Sequence, residues 1–483
     1  MHLLFSAVKN IVMAIKNNRL TNEQYEANFA DIRPPFENKT AAVVEANRCL
    51  FCYDAPCTKS CPTHIDVPKF IKQISTDNVK GSAHTIFISN IMGAGCSKVC
   101  PVEKLCEGAC VYNLLEEEPI QIARLQQYST EKAMKNNWQL FKRKPTAPSG
   151  SPLGDGGKKV AIVGAGPAGL SCAHVLSREG IDVTIFEKEP KGGGLMTYGI
   201  AAYKVTPQFC EDEVNYITSL GGIEIKYNHE LGKNLPAGRQ AISLAELQKK
   251  YDAVYLGIGV GIARNLDIPG EELEGVVDAI SFIYDLRDKG YPSVPVGDKV
   301  AVIGMGMTAI DAATQSKRLG AKEVTMVYRR TKDEMPCTEF EFNLAKLDGC
   351  EIVWLAAPKE ITGNGKVEKL VCSKMKLGDP DTSGRRSPVD TGETFTLDVD
   401  MVIKAAGQVP FEELIMDNGI MNNKGKIVID DKCSTNIKGV FAGGDAVNGG
   451  KEVVDAVQAG KDGAKAILEY LKASPNPSEG GAS

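Results

Sequence analysis

Cysteine is the residue type whose number and spacing in this sequence most clearly suggest chemistry. The chain has 14 cysteines in 483 residues, and eight of them lie between Cys49 and Cys110. Four follow the spacing C-x2-C-x4-C-x3-C with a proline directly after the last: Cys49, Cys52, Cys57 and Cys61. Four follow the spacing C-x3-C-x5-C-x3-C with a proline directly after the second: Cys96, Cys100, Cys106 and Cys110. Such sets can form disulfides, bind structural zinc, or hold iron–sulfur clusters that carry electrons.

The spacing and the length of the chain favour iron–sulfur clusters. Disulfide frameworks are typical of small secreted domains, whereas this chain is long and carries no recognisable secretion signal. Structural zinc usually takes two Cys-x2–4-Cys pairs that fold into one tetrahedral site. The three-then-one spacing that ends in Cys61-Pro62 is instead similar to the ferredoxin run, whose fourth cysteine binds a neighbouring cluster. We therefore predict two [4Fe–4S] clusters, with zinc as the alternative.

Composition and charge exclude several classes of partner. Hydrophobic residues make up 43%, charged residues 24%, and the net charge is -5. Nothing here indicates nucleic acid or an anionic membrane as the main partner. Lys9 interrupts the apolar residues of the first eighteen positions and no small-residue cleavage site follows, so an amphipathic surface helix is predicted there. We expect a cytoplasmic protein of roughly two to four domains, with no membrane partner.

A sequence repeat predicts the domains that follow the cysteine-bearing region. Residues 158–188 and 298–330 share one plan: an apolar strand, a glycine-rich turn, an amphipathic helix closed by glycine (Gly180, Gly320), and a second apolar strand. Two such βαβ units predict an α/β fold with two Rossmann-like dinucleotide-binding domains and parallel sheets. A helical iron–sulfur domain (1–143) is predicted before them, joined by a linker rich in proline, glycine and serine (144–157).

The first glycine turn predicts a site for FAD. Gly164, Gly166 and Gly169 have the G-x-G-x-x-G spacing between a strand and a helix. The first glycine permits the tight turn, the second admits the pyrophosphate, and the third lets helix and strand approach closely. Glu187 ends the next strand, where a carboxylate accepts hydrogen bonds from an unmodified ribose. The alternative is that these glycines serve only a tight turn.

The second glycine turn predicts a site for NADP(H). Gly304 and Gly306 are followed by Thr308 and then by alanine at the third position, a tolerated variant. The next strand ends in Arg329-Arg330 instead of a carboxylate, and guanidinium groups can clamp a 2′-phosphate. The alternative is that the two arginines belong to an ordinary solvent-exposed surface.

Two later segments indicate that the first nucleotide fold is interrupted by the second. Asp445 follows Gly444 shortly before a predicted helix (455–471), where it could hold the ribityl chain of the flavin. Short apolar segments end at Gly259 and at Gly407, as expected where the chain crosses between two dinucleotide folds. We assign Gly407 to the NADP site. The predicted order is a first FAD-binding segment (158–263), the NAD(P)H-binding domain (264–405), a second FAD-binding segment (406–472) and a flexible tail (473–483).

A nicotinamide site beside a flavin passes a hydride to the flavin, and the next acceptor decides the function. Disulfide reductases use a Cys-x-x-Cys pair near the flavin. The six cysteines beyond Cys110 include no such pair, so the electrons are expected to leave through the two clusters. The sequence assigns no catalytic residue beyond these binding positions.

The chain from about residue 20 to 472 resembles the NAD(P)H-oxidising subunit of bacterial dihydropyrimidine dehydrogenase. The stretches that carry the resemblance are RCLFCYDAPCTKSCP, GCSKVCPVEKLCEGAC, GPAGL, the turn Gly193-Gly194-Leu195, VYRR and AGGD. The resemblance implies that Gly194, Leu195 and Lys204 contact the flavin. It also implies a partner, an FMN-containing (β/α)8 subunit that reduces uracil or thymine to the 5,6-dihydropyrimidine.

The same resemblance implies a ligand set for each cluster. One cluster would take Cys49, Cys52, Cys57 and, by crossover, Cys110. The other would take Cys61, Cys100, Cys106 and the side-chain oxygen of Gln126, so that Cys96 would bind nothing. From spacing alone all eight cysteines would be ligands, and Gln126 would be an exposed helix residue.

Three other functions remain open from the sequence. The small subunit of glutamate synthase is a related flavoprotein that shares the first cysteine set, although the six-step spacing from Cys100 to Cys106 favours the dihydropyrimidine dehydrogenase side. A free-standing NADPH:ferredoxin or acceptor reductase would need no fixed partner. A non-catalytic redox sensor or assembly module would bind the cofactors without NADPH-dependent turnover. The arginine pair is of the NADP type, whereas the bacterial dihydropyrimidine enzymes are NAD-linked.

Overall fold

The computed structural model describes residues 15–146, 157–233, 235, 237–261, 263–380 and 386–473. Most of the predicted N-terminal surface helix, most of the linker and nearly all of the predicted tail lie outside the described residues. The chain divides after residues 30, 262 and 407 into two compact units. One unit takes in residues 31–262 and the chain from 408 onward, and the other takes in the chain up to residue 30 and residues 263–407.

Helices dominate the chain before the first strand. Within the described residues they are α1 (Asn22–Asn28), α2 (Lys39–Asn47), α3 (Pro56–Ser60), α4 (Val67–Ser75), α5 (Val79–Ser89), α6 (Gly93–Val99), a 3-10 helix (Val111–Leu115) and α7 (Ile122–Lys135). Several of them begin at a side chain that accepts a hydrogen bond from the first turn, as Asn38 does for α2 and Asp66 for α4. The cysteines lie mainly in the short connections between these helices, where the backbone is free to turn.

The larger unit contains a parallel sheet beside the cysteine-bearing helices. Its next elements are β1 (Lys159–Val163), α8 (Pro167–Arg178), β2 (Asp182–Phe186), α9 (Leu195–Tyr198), α10 (Pro207–Thr218), β3 (Ile223–Lys226), β4 (His229–Leu231), β5 (Gln240–Ile242), α11 (Leu244–Lys250) and β6 (Ala253–Leu256). Strands β1 and β6 are almost wholly buried, as in a sheet covered on both faces.

The smaller unit contains the second parallel sheet. Its elements after α1 are β7 (Val276–Asp278), α12 (Ala279–Lys289), a 3-10 helix (Tyr291–Ser293), β8 (Lys299–Ile303), α13 (Met307–Arg318), β9 (Glu323–Tyr328), a 3-10 helix (Lys332–Glu334), α14 (Glu339–Leu347), β10 (Glu351–Trp354), β11 (Ala356–Thr362), β12 (Lys369–Pro380), β13 (Arg386–Asp398) and β14 (Met401–Lys404). The parallel strands run in the order β10-β9-β8-β14-β7, and β11-β12-β13 form an antiparallel sheet.

The chain returns to the larger unit after Gly407. Its last elements are α15 (Glu412–Asp417), β15 (Asn422–Asn423), β16 (Lys426–Ile427), β17 (Val440–Ala442), α16 (Asp445–Asn448) and α17 (Val453–Ala473). Strand β17 pairs in parallel with β6, which completes a sheet in the order β17-β6-β1-β2-β3. None of the described helices is both long and apolar enough to cross a lipid bilayer.

Candidate functional site

The first glycine turn joins β1 to α8 and requires glycine at two positions. Gly164 has φ +100°, and a Cβ there would lie 2.5 Å from the carbonyl oxygen of Gly257. A Cβ on Gly169 would lie 2.0 Å from the carbonyl oxygen of Gly164. Both distances are shorter than any side chain tolerates, so these glycines let the strand, the turn and the helix pack closely.

Space for a dinucleotide remains at the middle glycine of this turn. Gly166 caps α8 without any side-chain hydrogen bond to the helix, and the one heavy atom that a Cβ there would meet within 4 Å is Cα of Gly194, at 3.8 Å. Gly194 itself has φ +57°, and its Cβ would lie 2.9 Å from Cα of Gly166. The N–H groups of the first turn of α8 therefore face a backbone-lined cradle that fits a pyrophosphate.

The carboxylate of Glu187 is buried next to this cradle. Its Oε2 accepts a hydrogen bond from the N–H of Ala165 at 2.7 Å, and its Oε1 accepts one from the N–H of Glu189 at 2.9 Å. Burial is the main cause that raises its pKa, while both backbone hydrogen bonds lower it. The acceptor predicted for an FAD ribose thus lies directly against the glycine turn.

The other predicted flavin positions belong to the same unit. Leu195 begins α9 directly after Gly194, and Lys204 is buried, with its N–H donating to the carbonyl of Ala201. Asp445 begins α16, and its Oδ1 accepts a hydrogen bond from the N–H of Lys451 at 3.1 Å. Burial raises the pKa of Asp445.

The return of the chain seats Gly444 and α17 against α8. A Cβ on Gly444 would lie 3.0 Å from Cβ of Ala168, and a Cβ on Gly460 would lie 2.1 Å from the carbonyl oxygen of Ala168. The helix predicted over 455–471 is longer in the structure and is preceded by the separate short helix α16. Residues from both ends of the larger unit therefore meet at the first turn of α8.

The second glycine turn, between β8 and α13, repeats this geometry. Gly304 has φ +136°, and a Cβ there would lie 2.5 Å from the carbonyl oxygen of Ala405. A Cβ on Gly306 would meet no heavy atom within 4 Å, which again leaves room for phosphates. Thr308 lies in the first turn of α13. Gly407 has φ +90° and accepts a hydrogen bond from the N–H of Arg264 at 2.8 Å.

The two arginines at the end of β9 have different environments. Arg329 is exposed, whereas Arg330 is buried and its Nε donates to the carbonyl oxygen of Arg386 at 3.1 Å. Arg386 in turn pairs with Glu334 at 2.9 Å. Among the described residues, neither Arg329 nor Arg330 pairs with a carboxylate, so the positive charge at this strand end is not neutralised by a neighbour.

The cysteines assigned to the first cluster line one pocket. Cys49, Cys52, Cys57 and Cys110 surround a space of about 370 Å³, counting its solvent-open portion, together with apolar side chains such as Leu50 and Ile71. Burial raises the pKa of Cys57 to about 12, with the neighbouring Cys49 as the next cause. The structure thus brings Cys110 to the first cysteine set although it lies 49 or more positions further along the chain.

The remaining cysteines form a second group. A hydrogen bond with the Cys96 thiol and burial raise the pKa of Cys100, and the nearby Cys106 and Cys61 raise it further. Gln126 is buried on α7 and its Nε2 donates to the carbonyl oxygen of Gly93 at 2.6 Å. Cys96 and Gln126 both remain candidates for the fourth ligand, because the first lies against Cys100 and the second against the start of α6.

The arrangement of the thiols indicates whether they suit a single metal ion or an iron–sulfur cluster. Within the described residues, no three histidine, cysteine, aspartate or glutamate side chains converge closely enough to bind a single metal ion. In a [4Fe–4S] cluster each thiolate binds a different iron atom, so the sulfurs surround a volume instead of meeting at a point. Four thiols around a pocket with apolar walls fit that requirement.

Sequence reasoning missed three ionisable residues beside these groups. Arg33 Nη1 lies 3.4 Å from the carbonyl oxygen of Cys100, and Lys461 Nζ donates to the carbonyl oxygen of Ser89 at 2.6 Å. Glu213 is fully buried on α10, and burial raises its pKa to about 8. None of the three belongs to a recognisable motif. Only the fact that Glu213 occupies the buried face of an amphipathic helix could have marked it.

These features define a class of protein: a dinucleotide-binding oxidoreductase with two Rossmann-like sheets and a helical, cysteine-bearing region. Comparison with family models agrees. Residues 158–460 match the pyridine nucleotide-disulphide oxidoreductase family, and residues 25–138 match the dihydropyrimidine dehydrogenase domain II, 4Fe-4S cluster family. The chain belongs to the pyridine nucleotide-disulphide oxidoreductase family and is an NAD(P)H-dependent flavin and iron–sulfur electron-transfer oxidoreductase.

Relatives with similar sequences cover nearly the whole chain. The NAD-dependent dihydropyrimidine dehydrogenase subunit PreT of Salmonella typhimurium is 35% identical, over 92% of this chain and 98% of its own. The glutamate synthase [NADPH] small chain of Escherichia coli is 33% identical, over 92% of this chain and 94% of its own. Among solved structures, Mycobacterium tuberculosis FprA in complex with NADPH aligns with a TM-score of 0.54 at 22% identity. That alignment covers 65% of this chain and 85% of FprA, and it shows a shared fold.

Proposed function

We propose that this protein is an electron-input subunit that oxidises NADPH and delivers single electrons to a larger partner. In this proposal FAD accepts the hydride, two [4Fe–4S] clusters carry the electrons, and an FMN-containing subunit reduces uracil or thymine to the 5,6-dihydropyrimidine. The observation that carries the proposal is the pocket of Cys49, Cys52, Cys57 and Cys110, which belongs to the same unit as the FAD-type glycine turn.

The residues of the larger unit suit FAD, which when bound accepts a hydride and releases electrons one at a time. Gly166 and Gly194 leave room for the pyrophosphate, and the first turn of α8 would donate its N–H groups to it. Glu187, whose Oε2 lies against the glycine turn, would accept hydrogen bonds from the ribose hydroxyl groups. Asp445 accepts from the ribityl chain.

The residues of the smaller unit suit NADPH. Gly306 leaves open space beside the first turn of α13, and Thr308 offers a hydroxyl group there. Arg329, which is exposed and has no carboxylate partner among the described residues, binds the 2′-phosphate, with Arg330 beside it. We assign residues 264–405 to this domain and residues 158–263 and 406–472 to FAD.

The second cluster is assigned to Cys61, Cys100 and Cys106 with Gln126 as the fourth ligand. Support for the three cysteines comes from their proximity, because Cys106 and Cys61 both raise the pKa of Cys100 and Cys61 also raises that of Cys106. For Gln126 the support is its burial and its hydrogen bond to the carbonyl oxygen of Gly93, which begins α6, the helix that ends at Cys100. The count of two clusters rests on the two separate cysteine groups.

The electrons leave through an apolar surface around the first pocket. Four large side chains there are at least 57% exposed: Leu50, Tyr53, Leu114 and Leu115. The loops that carry them are joined, because Tyr112 Oη donates to the carbonyl of Arg48 at 2.7 Å and Arg48 Nη2 donates to that of Glu118 at 2.6 Å. Exposed apolar side chains grouped in this way are typical of a protein–protein interface.

Three glutamates beside this surface indicate the charge of the complementary surface on the partner. Glu116, Glu117 and Glu118 are exposed, and within the described stretches of the chain none of them is in an ion pair. The complementary face is apolar with a rim of lysine or arginine, and we assign it to the electron-accepting subunit. The proposed location of the complex is the cytoplasm.

A second candidate function is that of a glutamate synthase small subunit. It is favoured by the similarity to the Escherichia coli glutamate synthase [NADPH] small chain and by the NADP-type pair Arg329-Arg330. The partner would then be a large subunit that forms glutamate from glutamine and 2-oxoglutarate. A free-standing ferredoxin or acceptor reductase is the third possibility.

The test combines the purified holoprotein with each kind of partner under anaerobic conditions. One arm adds a dihydropyrimidine dehydrogenase catalytic subunit and uracil, the second a glutamate synthase large subunit with glutamine and 2-oxoglutarate, and the third ferredoxin alone. The proposal predicts substrate-dependent NADPH oxidation in the first arm only, weakened by Leu114→Glu. Turnover in the second or third arm only would contradict it.

A further inference from the structure

The carboxyl group of Glu213 connects two regions of the larger unit. Glu213 lies on α10, which follows the predicted flavin turn Gly193-Gly194-Leu195 in the chain. Its side chain is fully buried, and its Oε1 accepts a hydrogen bond from the N–H of Gly95 at 2.8 Å. Gly95 lies in the first turn of α6, the helix that carries Cys96 and ends at Cys100.

Glu213 accepts a hydrogen bond that the first turn of α6 cannot make within the helix. The first N–H groups of a helix have no partner within the helix and are usually satisfied by a side chain at the cap. Met92 occupies the cap position of α6 and makes no side-chain hydrogen bond to it. Glu213 supplies that acceptor from another helix, with the N–H groups of both Gly95 and Ala94 facing its carboxyl group.

The approach is too close to allow any side chain at position 95. A Cβ on Gly95 would lie 2.6 Å from Glu213 Oε2 and 2.6 Å from Met196 Sδ. Met196 follows Leu195 in α9, and its carbonyl oxygen accepts a hydrogen bond from the Cys210 thiol of α10 at 3.3 Å. The flavin-side helix α9, Glu213 and the cysteine helix α6 are thus packed in one continuous contact.

Glu213 has no other recognised task. Its Oε2 is buried without a hydrogen-bond partner among the described residues, and burying a polar atom in this way lowers the stability of the folded protein. An apolar side chain could fill the same volume but could not accept from the N–H groups of α6. We therefore attribute the presence of a buried carboxyl group here to the hydrogen bond that it accepts from α6.

We propose that Glu213 is a positioning residue that fixes the cysteine helix α6 against the flavin-side helix α9 and so sets the path of electrons from flavin to the second cluster. The proposal rests on the proposed function, because it uses the assignment of FAD to Gly194 and Leu195 and of a cluster to Cys100. Electron tunnelling falls steeply with distance, so a shift of α6 slows this transfer and leaves hydride transfer to the flavin intact.

The test compares Glu213→Ala, Glu213→Gln and the matched control Asp212→Asn, which changes an exposed carboxylate on the same helix. Stopped-flow mixing of each anaerobic holoprotein with NADPH follows flavin bleaching and cluster reduction separately. In Glu213→Ala we expect cluster reduction to slow by about tenfold or more while flavin reduction changes less than about twofold. Glu213→Gln keeps an oxygen acceptor for the N–H of Gly95 and is expected to restore most of the rate.

Two outcomes would overturn the proposal: equal cluster reduction rates in Glu213→Ala and Asp212→Asn, or equal slowing of flavin and cluster. If Glu213→Ala does not fold, Gly95→Ala serves instead, since its methyl group displaces the same contacts and predicts the same selective slowing. EPR spectra of dithionite-reduced protein separate this inference from the proposed function. They are expected to change for Glu213→Ala and not for Asp212→Asn even if NADPH reduces neither protein, and unchanged spectra would count against the role of Glu213.

Discussion

The carboxylate of Glu187 accepts a hydrogen bond from the backbone N–H of Ala165 at 2.7 Å, across the first glycine turn. Glu187 directly follows β2 and Ala165 lies between the two glycines that follow β1, so the contact joins neighbouring strands where both of them end. Dinucleotides bind at this edge of parallel sheets. The carboxylate that we predict to bind a ribose therefore lies at the glycine turn, next to the cradle proposed for the pyrophosphate.

The first prediction concerns this carboxylate. Glu187→Gln is expected to weaken FAD binding by roughly tenfold or more, because a charged acceptor is replaced by a neutral amide. The measurement is the dissociation constant for FAD from fluorescence titration of deflavinated protein. Glu224→Gln, an exposed substitution on β3, is the control and should bind FAD as the unchanged protein does. Equal affinities for all three proteins would contradict the assignment.

The sequence was sufficient for the parallel sheets because glycine spacing and strand patterns are local signals. Gly164, Gly169 and Gly304 have the conformations or close contacts that the pattern requires. The insertion of one fold into the other was predicted from the short apolar segments that end at Gly259 and Gly407, and in the structure β17 pairs with β6. The family and the fold class are confirmed by the matched models.

The role proposed for Glu213 could not be predicted from the sequence, and the choice of Gln126 over Cys96 came from the family resemblance and not from the spacing. Both depend on which helices pack together, and packing partners leave no fixed spacing in the chain. Residues 15–30 raise the same issue, because they belong to the unit of residues 263–407, where Arg19 forms an ion pair with Asp298. Nothing in the local pattern of this segment signals so distant a partner.

The second prediction concerns coenzyme preference. Arg329→Ala is expected to raise the KM for NADPH about tenfold and to leave the KM for NADH nearly unchanged, since only NADPH carries the 2′-phosphate. Steady-state reduction of an artificial dye by each coenzyme measures this. Lys359→Ala removes an exposed positive charge elsewhere in the smaller unit and serves as the control. A parallel rise in both KM values would show that Arg329 does not read the phosphate.

The third prediction concerns the crossover ligand. Cys110→Ala is expected to remove roughly half of the bound iron and the first cluster with it, because the pocket then offers three thiols. Cys96→Ala keeps the full iron content if Gln126 is the fourth ligand of the second cluster. Iron analysis and EPR of the dithionite-reduced proteins decide both points. Full iron in Cys110→Ala would contradict the crossover, and iron loss in Cys96→Ala would favour Cys96 over Gln126.

The fourth prediction concerns pH. Burial raises the pKa of Glu213 from 4.5 to about 8, so between these values the folded protein keeps a proton that the unfolded chain has released. The contribution of Glu213 to stability is therefore greatest below pH 4.5 and falls as pH rises toward 8, by roughly 1 kcal/mol per pH unit.

Urea unfolding at about pH 5 and about pH 8 tests this linkage. The unchanged protein and Asp212→Asn should lose more stability between the two pH values than Glu213→Gln, whose amide does not titrate. Comparing Glu213→Gln with the unchanged protein cancels the other titrating groups, which these two proteins share, and Asp212→Asn shows the effect of removing an exposed carboxylate instead. Identical losses in Glu213→Gln and the unchanged protein would mean that Glu213 does not hold a proton in the folded state.

The most direct test of electron flow from NADPH through flavin to the clusters is an anaerobic titration of the holoprotein. NADPH and NADH are added in turn while the flavin absorbance and the EPR signal of the reduced clusters are recorded. We predict that NADPH bleaches the flavin and that the cluster signal then grows in the same sample. Failure of both coenzymes to bleach the flavin, or a bleached flavin with clusters that stay oxidised, would contradict it.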